Sequence, residues 1–403
     1  MRVDLKSEYP FWPVNDGLLH TYPRLDADVR CDVAIIGAGI TGALVAHHLV
    51  EAGFDTLVLD RRDVGWGSTA ASTALLQYEI DVPLIDLAEM RGAAEANRAY
   101  LACRDAIRKL ESLSASLASP FPVERKRSLY LGTRKRDRKQ LRAEQEARRA
   151  IGIDVDFLDE ADIAARFSFR RPAALLSYDA AQVDAYGFTH ALFANAVGRG
   201  LRIFDRTAVV DVKASSREVR LVTAEQYTVR ARQLVFASGY ETRDFLRENV
   251  ARLVSTYAIA SEPLGPIEGW AEDQCIIWEH AQPYLYLRAT TDGRVLVGGE
   301  DESFRDPSRR DRLLPKKTDA LRSRFQELFP HIDLDVAFSW AGTFGETRDG
   351  LAYIGPHGDW PSCFFALCYG GNGITYGIIA AEIVRDMLCG RTNQHADLFR
   401  FGR

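Results

Sequence analysis

Three glycines set the first chemical expectation. They stand at 37, 39 and 42 in Gly37-Ala38-Gly39-Ile40-Thr41-Gly42, between a strand-like run, Cys31–Ile36, and a helical stretch, Ile40–Ala52. Gly37 permits a tight turn, Gly39 lets backbone approach a pyrophosphate, and Gly42 lets helix and strand pack closely. The helix amino terminus at Ile40 and Thr41 then faces the phosphate with free N–H groups and the positive end of its dipole. A second strand, Thr56–Asp60, ends on an acid 23 residues after Gly37. Asp60 is placed to accept hydrogen bonds from an adenosine ribose. Arg61 and Arg62 follow it, and an arginine there suits a 2′-phosphate, so this βαβ unit alone leaves the dinucleotide open.

The next residues favour a longer cofactor. Gly65-Trp66-Gly67-Ser68-Thr69-Ala70-Ala71-Ser72-Thr73 is a small, hydroxyl-rich loop. Gly67, Ser68, Thr69, Ser72 and Thr73 offer backbone and hydroxyl donors to a second part of a dinucleotide. A nicotinamide domain proceeds to a third strand at this point instead. Further pieces follow in order: Val209-Val210, Ala237-Ser238-Gly239, Trp340-Ala341-Gly342, Asp349-Gly350-Leu351-Ala352-Tyr353-Ile354-Gly355, and Tyr369-Gly370-Gly371-Asn372-Gly373-Ile374-Thr375. This ordered set, spanning residues 31 to about 390, resembles the D-amino-acid oxidase superfamily of FAD-dependent oxidoreductases. Glycine, sarcosine and γ-glutamylputrescine oxidases are among its members.

The resemblance implies roles. Val209 and Val210 would flank the adenine, and Ala237, Ser238 and Gly239 would turn beneath the cofactor. Gly342 and the turn Gly370, Gly371, Asn372, Gly373, Ile374 and Thr375 would lie by the flavin. A helix amino terminus aimed at the flavin pyrimidine would stabilise charge on the reduced ring. One branch of the family links FAD through a cysteine in the segment matching Ala341–Glu346. None stands there, and the Gly67–Thr73 loop has no His or Cys, so FAD is expected to be non-covalent.

The implied reaction is hydride transfer from a carbon bearing an amine to flavin N5, followed by hydrolysis of the imine. A hydroxy acid is the alternative substrate, and a non-catalytic flavin-binding subunit the alternative role. The substrate is expected to be a small amine or amino acid, with oxygen or another electron acceptor taking the electrons. Several relatives clamp a substrate carboxylate with an arginine shortly after Trp-Ala-Gly; here that place falls to Phe344. Arg288 and Arg348 are the substitute candidates, each against the alternative of an ordinary ion pair. Strand alternation puts Tyr284, Tyr286 and Arg288 on one face, so Tyr286 is a candidate substrate contact. Glu346 is a candidate for a cationic amine, and Gln77, Tyr78 and Glu79 follow the loop towards the flavin.

These residues need elements to hold them. With 403 residues, 47% hydrophobic, two domains are expected. The expected fold is α/β plus α+β: a Rossmann-like FAD-binding domain interleaved with a substrate domain on a mixed β-sheet. The first takes 1–90, 180–250 and 338–403, the second 91–179 and 251–337. Residues 1–30 suggest an extended arm on the surface. Asp86–Ser119 and Arg134–Ala150 suggest a helical insert, Leu253–Gly299 a β-rich one, Lys317–Phe329 a helix, and Ile374–Leu388 a final long helix.

Net charge is −5, and the charge run Arg134–Gln140 mixes signs without aromatic residues. No nucleic-acid partner is expected. The six cysteines lack CxxC spacing and no HExxH occurs, so no metal site is expected. No apolar run follows the first charge, and Val33–Val50 is broken by glycines. Neither a signal peptide nor an integral membrane segment is expected, and a cytoplasmic location is.

Overall fold

The computed structural model describes residues 4–403 apart from 118, 247, 266 and 282, and apart from the side chains of 243 and 244. Two sheets organise them, as α/β plus α+β layers on mixed sheets. In the first sheet five strands run parallel, in the order Trp360–Leu367, Thr228–Phe236, Val29–Ile36, Thr56–Leu59, Arg202–Phe204. Tyr353–His357 adds antiparallel at one edge, and Val219–Thr223 with Val209–Ala214 forms an antiparallel ribbon. Strand order reverses at Val29–Ile36: the chain adds Thr56–Leu59 and Arg202–Phe204 on one side of it, then Thr228–Phe236 and Trp360–Leu367 on the other. A crevice therefore opens at the carboxyl ends, where such sheets bind ligands.

The central strand is buried on both faces, which is why its second half reads Val33-Ala34-Ile35-Ile36 without alternation. The helix Ile40–Glu51 packs between this sheet and the helices Ala185–Val197 and Gly373–Leu388, and is buried almost all round. His47 and His48 belong to that packing. Burial lowers His47 to about 4, and His48 Nδ1 lies 2.8 Å from the Leu44 carbonyl oxygen.

The second sheet runs in the order Lys6–Ser7, Val336–Glu346, Arg252–Ser261, Val295–Glu302, Leu285–Ala289, Ile276–Glu279, Glu124–Gly132, Ala173–Gln182, Leu75–Leu76. Val155–Asp159 pairs with Ala173–Gln182 off this path. Its pairs are antiparallel except Ile276–Glu279 with Glu124–Gly132. We propose the two sheets as the bodies of the two expected domains. On that division the expected boundary at 338 moves, because it cuts the strand Val336–Glu346, which pairs along its length with Arg252–Ser261.

Four expectations about elements change. The helical insert also supplies three strands, Glu124–Gly132, Val155–Asp159 and Ala173–Gln182. The last reads Ala-Ala-Leu-Leu-Ser-Tyr-Asp-Ala-Ala-Gln, a composition that favours helix until tertiary pairing overrides it. The stretch from 84 to 116 is two helices, Leu84–Arg91 and Ala93–Ser116, parted at Gly92 with φ +85°. The helix expected at Lys317 begins at Pro307, capped by Asp306, which accepts from the Arg309 N–H at 2.6 Å. It runs through Pro315 because Leu314, Leu321, Phe325 and Leu328 are buried along it. The amino-terminal arm is built into the molecule: Lys6–Ser7 joins the second sheet, and Phe11 and Trp12 are buried in a short helix, Phe11–Asp16.

That arm meets an unusual carboxyl. Asp184 caps Ala185–Val197 by accepting the Gly187 N–H at 2.9 Å, with the carboxyl of Asp16 near enough to act on it. Burial first, then Asp16, push Asp184 up to about 8. The unfolded value is about 3.9. A raised acid stabilises the folded state below its unfolded pKa and loses that contribution as pH rises through the folded one. Stability is therefore expected to fall between about pH 4 and 8. Asp184→Asn keeps a capping oxygen and is expected to flatten that fall, read as denaturation midpoint against pH. An unchanged slope would assign the effect to other groups.

Candidate functional site

A cavity of about 590 Å³ opens at the crevice, with the glycine cradle on one side and the second sheet on the other. That size is in the range of cofactor and small-molecule sites. At the cradle, Gly37 has φ +115°, and a Cβ there would overlap the Ala237 carbonyl. A Cβ on Gly42 would overlap the carbonyl oxygen of Gly37, so the first turn of the helix rests directly on the turn that precedes it. A Cβ on Gly39 would sit 2.9 Å from Thr69 Oγ1, and that same hydroxyl accepts the Ile40 N–H at 3.0 Å. The hydroxyl loop is thus docked on the helix amino terminus, and Thr41 lines the cavity beside it.

Asp60 lines the cavity while fastening its floor. Its two carboxylate oxygens accept the Ala38 N–H at 2.7 Å and the Arg62 N–H at 2.8 Å. Burial raises its pKa and those two N–H groups pull it back. Arg61 and Arg62 both pair with Glu241, Arg62 in two bonds of 2.8 and 3.1 Å. Glu241 thereby balances the charge that would suit a 2′-phosphate, and sequence reading missed it. Only the Arg-Arg pair, in need of an acid, hinted at such a partner.

Gly67, Ser68, Thr69, Ser72 and Thr73 all line the cavity. Two indoles hold their loop, Trp12 donating to the Ser72 carbonyl at 2.7 Å and Trp340 to that of Ala71 at 2.9 Å. Val209, Ala237, Ser238, Gly239, Gly342, Gly370, Gly371, Asn372, Gly373 and Ile374 complete the matched lining. The Gly371 N–H donates to Asp81 at 2.8 Å. Asp81 is open to the cavity yet enclosed by protein, and desolvation pushes it up to about 6, with Glu346 adding to the rise.

The second sheet contributes Thr256, Trp278, Tyr284, Leu285, Tyr286, Asp301, Phe344 and Glu346. Tyr286 lies across Gly298, its cross-strand partner, where no Cβ would fit. Burial pushes its hydroxyl up to about 12, with Asp301 adding to it and hydrogen bonds to Thr256 and Thr73 opposing. Glu346 is at the cavity but engaged by Arg252 at 2.7 Å. Gln77 and Glu79 line the cavity. Tyr78 turns away, its hydroxyl 2.9 Å from Ser177 Oγ.

Five expected site residues do not line the cavity, Gly42 among them, since it packs beneath the turn at Gly37. Arg288 shares the face of Tyr286, but two residues of strand carry it about 7 Å further. There its guanidinium donates to the Ala74 and Val183 carbonyls at 3.0 Å each, and burial lowers it to about 10. Arg348 is exposed in the turn after Val336–Glu346, while its neighbour Asp349 turns inward to Arg403 at 2.9 Å. Val210 is 53% exposed, because strand alternation turns it away when Val209 faces in. Thr375 is one residue too deep in its helix and bonds the Gln77 carbonyl at 3.4 Å. Cys368 lies just past the strand Trp360–Leu367 and lines the cavity; burial holds its thiol up at about 12.

Comparison with known proteins decides the cofactor. The family described as "FAD dependent oxidoreductase" (DAO) matches residues 32–387. The chain belongs to that family. A Bacillus subtilis (strain 168) protein, provisionally named as a Rieske 2Fe-2S iron-sulfur protein, is 24% identical over 402 residues, covering 96% of this chain and 74% of its own length. Gamma-glutamylputrescine oxidoreductase of Escherichia coli (strain K12) is 24% identical over 92% of this chain and 86% of its own. Among solved structures, glycine oxidase from Geobacillus kaustophilus superposes with a TM-score of 0.76 and 20% identity, covering 93% of this chain and 99% of that one.

This DAO-family chain is an FAD-dependent oxidoreductase, and the cavity fits FAD on its own terms. The cradle is closed to any side chain at Gly37 and Gly42, and an acid, Asp60, lines the cavity beside it. Hydroxyls continue from the cradle towards the second sheet. No cluster of ligands for a metal ion occurs among the described residues, and no helix among them is long and apolar enough to cross a membrane.

Proposed function

We propose that the chain oxidises a small amine or amino acid, with hydride leaving the amine-bearing carbon and the resulting imine hydrolysed by water. FAD, when bound, would supply the redox chemistry as the hydride acceptor. The cradle from Gly37 to Gly42, with Asp60 and the Gly67–Thr73 loop, would hold its adenosine and pyrophosphate. Asn372, the helix start at Gly373, and Ile374 would face the ring. Tyr286 and its neighbours on the second sheet would then position the substrate and exclude water. Oxygen or another electron acceptor reoxidises the enzyme, and the six unpaired thiols suit a cytoplasmic location.

The observation that carries an amine over a hydroxy acid is the charge on the lining. Its arginines are Arg61, Arg62 and Arg252, and each is in an ion pair with Glu241 or Glu346. Asp81 and Asp301 have no cation of their own within ion-pair distance among the described residues. A carboxylate finds no ready clamp there, while an ammonium does. One similar protein is named for gamma-glutamylputrescine and another for glycine. The test is an anaerobic panel of primary amines, amino acids and hydroxy acids added to the purified yellow protein. Loss of the oxidised-flavin band with amines is expected. Bleaching by hydroxy acids alone, or by nothing in the panel, overturns the proposal.

A further inference from the structure

The strand Val295–Glu302 changes face one residue before it reaches the cavity. Up to Gly299 it alternates regularly: Val295 and Val297 enter the core beneath the helix Pro307–Leu328, while Leu296 and Gly298 face the other way, Gly298 against Tyr286. Continued alternation would send residue 301 into that apolar core and residues 300 and 302 towards the cavity. The opposite occurs. Ser255 pairs with Glu302 and Tyr257 with Gly299, so Glu300 and Asp301 stand opposite the single residue Thr256. This is a β-bulge, with φ +130° at Gly299 and +56° at Glu300.

The bulge is held in place from the helix side. Glu300 pairs with Lys317 at 3.3 Å and with Arg324 at 3.0 Å, and Glu302 pairs with Lys317 at 2.9 Å. The Glu300 N–H donates to the Tyr284 carbonyl at 3.1 Å. A left-handed, non-glycine residue costs about 1 kcal/mol or more and persists where its surroundings fix it. Its effect is to deliver one carboxylate, Asp301, to the wall of the cavity. There the Thr256 hydroxyl lowers the pKa of both Asp301 and Tyr286 against their desolvation. Asp301 Oδ1 is buried and has no hydrogen-bond partner among the described residues.

From this geometry we propose that Asp301 is the catalytic residue that receives the substrate's ammonium group and takes one proton from it. The inference rests on the amine-oxidation reading above and assigns its substrate class: molecules recognised by a cationic nitrogen. An ammonium has no lone pair, so hydride cannot leave the adjacent carbon while the nitrogen holds all its protons. Transfer of one N–H proton to the Asp301 carboxylate gives a neutral amine and a carboxylic acid. The freed lone pair becomes the C=N π bond as the hydride, with its electron pair, passes to the oxidised flavin. Desolvation holds Asp301 at about 6, so it is ionised at neutral pH and close to the operating pH. Glu346 and Asp81 raise it, Lys317 and the Thr256 hydroxyl lower it, and Tyr286 stands beside it.

The first arm of the test needs no turnover. Butylamine, 1,4-diaminobutane and acetate are titrated anaerobically into the oxidised flavoprotein at pH 7, and perturbation of the flavin spectrum is read. The two cations are expected to bind more tightly than acetate, and Asp301→Asn to weaken them ten-fold or more at unchanged flavin content. Equal affinity in Asp301→Asn, or tighter binding of acetate, overturns the assignment. The second arm follows flavin reduction against pH with an amine that bleaches the wild type. The wild-type rate is expected to level off above about pH 6, whereas Asp301→Asn keeps rising with the free-amine fraction towards pH 10. Identical profiles overturn the assignment while leaving amine oxidation intact; amines that bind without bleaching overturn amine oxidation and leave the binding role. Should Asp301→Asn not retain flavin, wild-type cation affinity from pH 5 to 8 reads the same carboxylate. It is expected to rise through the ionisation, and a flat profile overturns the proposal.

Discussion

Gly42→Ala is expected to yield protein that retains no FAD and is markedly less stable, although it adds one methyl group. The added Cβ would overlap the carbonyl oxygen of Gly37. That atom is backbone, in a turn whose own φ of +115° leaves little freedom, and Gly37 in turn abuts the Ala237 carbonyl. The clash cannot be relieved by a side chain rotating. It moves either the helix Ile40–Glu51, which is packed on several sides, or the turn that would cradle the pyrophosphate. Overpacking at such a place costs about 1–3 kcal/mol. Displacing the cradle also removes the free N–H groups that anion binding needs. Gly358→Ala, in an exposed turn with nothing within 4 Å, is the control and is expected to match the wild type. Flavin content by absorbance and thermal midpoint compare the two. A Gly42→Ala protein with wild-type flavin content and midpoint would show that the helix does not rest on the turn as described.

The cradle was legible in the sequence because its requirements are local. Three glycines, a strand before and a helix after are fixed by chain spacing, and the acid at 60 follows from the length of one βαβ unit. Other residues of the cavity lining were reached only through resemblance. Gly342 and the Gly370–Ile374 turn lie hundreds of residues from the cradle, and no spacing rule connects them to it. The misplacements have a common cause. Arg288, Val210 and Thr375 were assigned by belonging to the right element. One residue of alternation, or two of strand rise, decides whether a side chain reaches the cavity or passes it.

Asp301 shows the converse. Alternation read from Val295 onwards turns it into the apolar core, and only a bulge fixed by Lys317 and Arg324 turns it out. Such an irregularity depends on contacts between a strand and a helix that follows it, so no local pattern announces it. The same holds for Glu241, whose role depends on two arginines 180 and 179 residues earlier. The strands inside the helical insert were missed for a related reason. Ala173–Gln182 takes its conformation from partners on both sides, against the preference of its own residues.

Arg148→Met is expected to cost about 3–5 kcal/mol, the usual result of removing one partner from a buried charge network. Arg148 is 1% exposed, on the helix Asp137–Ala150, beyond the mixed-charge run Arg134–Gln140. Its Nε donates to Glu144 at 2.7 Å, and Nη1 lies 3.3 Å from the Tyr78 hydroxyl and 3.6 Å from Glu79. Glu144 in turn accepts the Leu84 and Ile85 N–H groups at 2.9 and 3.1 Å, holding the start of Leu84–Arg91. Burial works against the guanidinium, but Tyr78, Glu144, Tyr100 and Glu79 keep it charged. Methionine fills much of the volume and leaves two buried carboxylates without their cation. Glu79 already has a raised pKa because it is desolvated, with Arg148 as the first opposing influence. Without Arg148 it is expected to take up a proton at neutral pH on folding. The loss of stability should therefore be larger at pH 8 than at pH 5, since each carboxylate that must be protonated on folding binds its proton more easily in acid. Denaturant midpoints of wild type and variant at the two pH values measure both the size and the slope. Because Glu79 lines the cavity and Arg148 does not, flavin content in the same samples separates a network that only supports the fold from one that also sets the charge at the cofactor's wall.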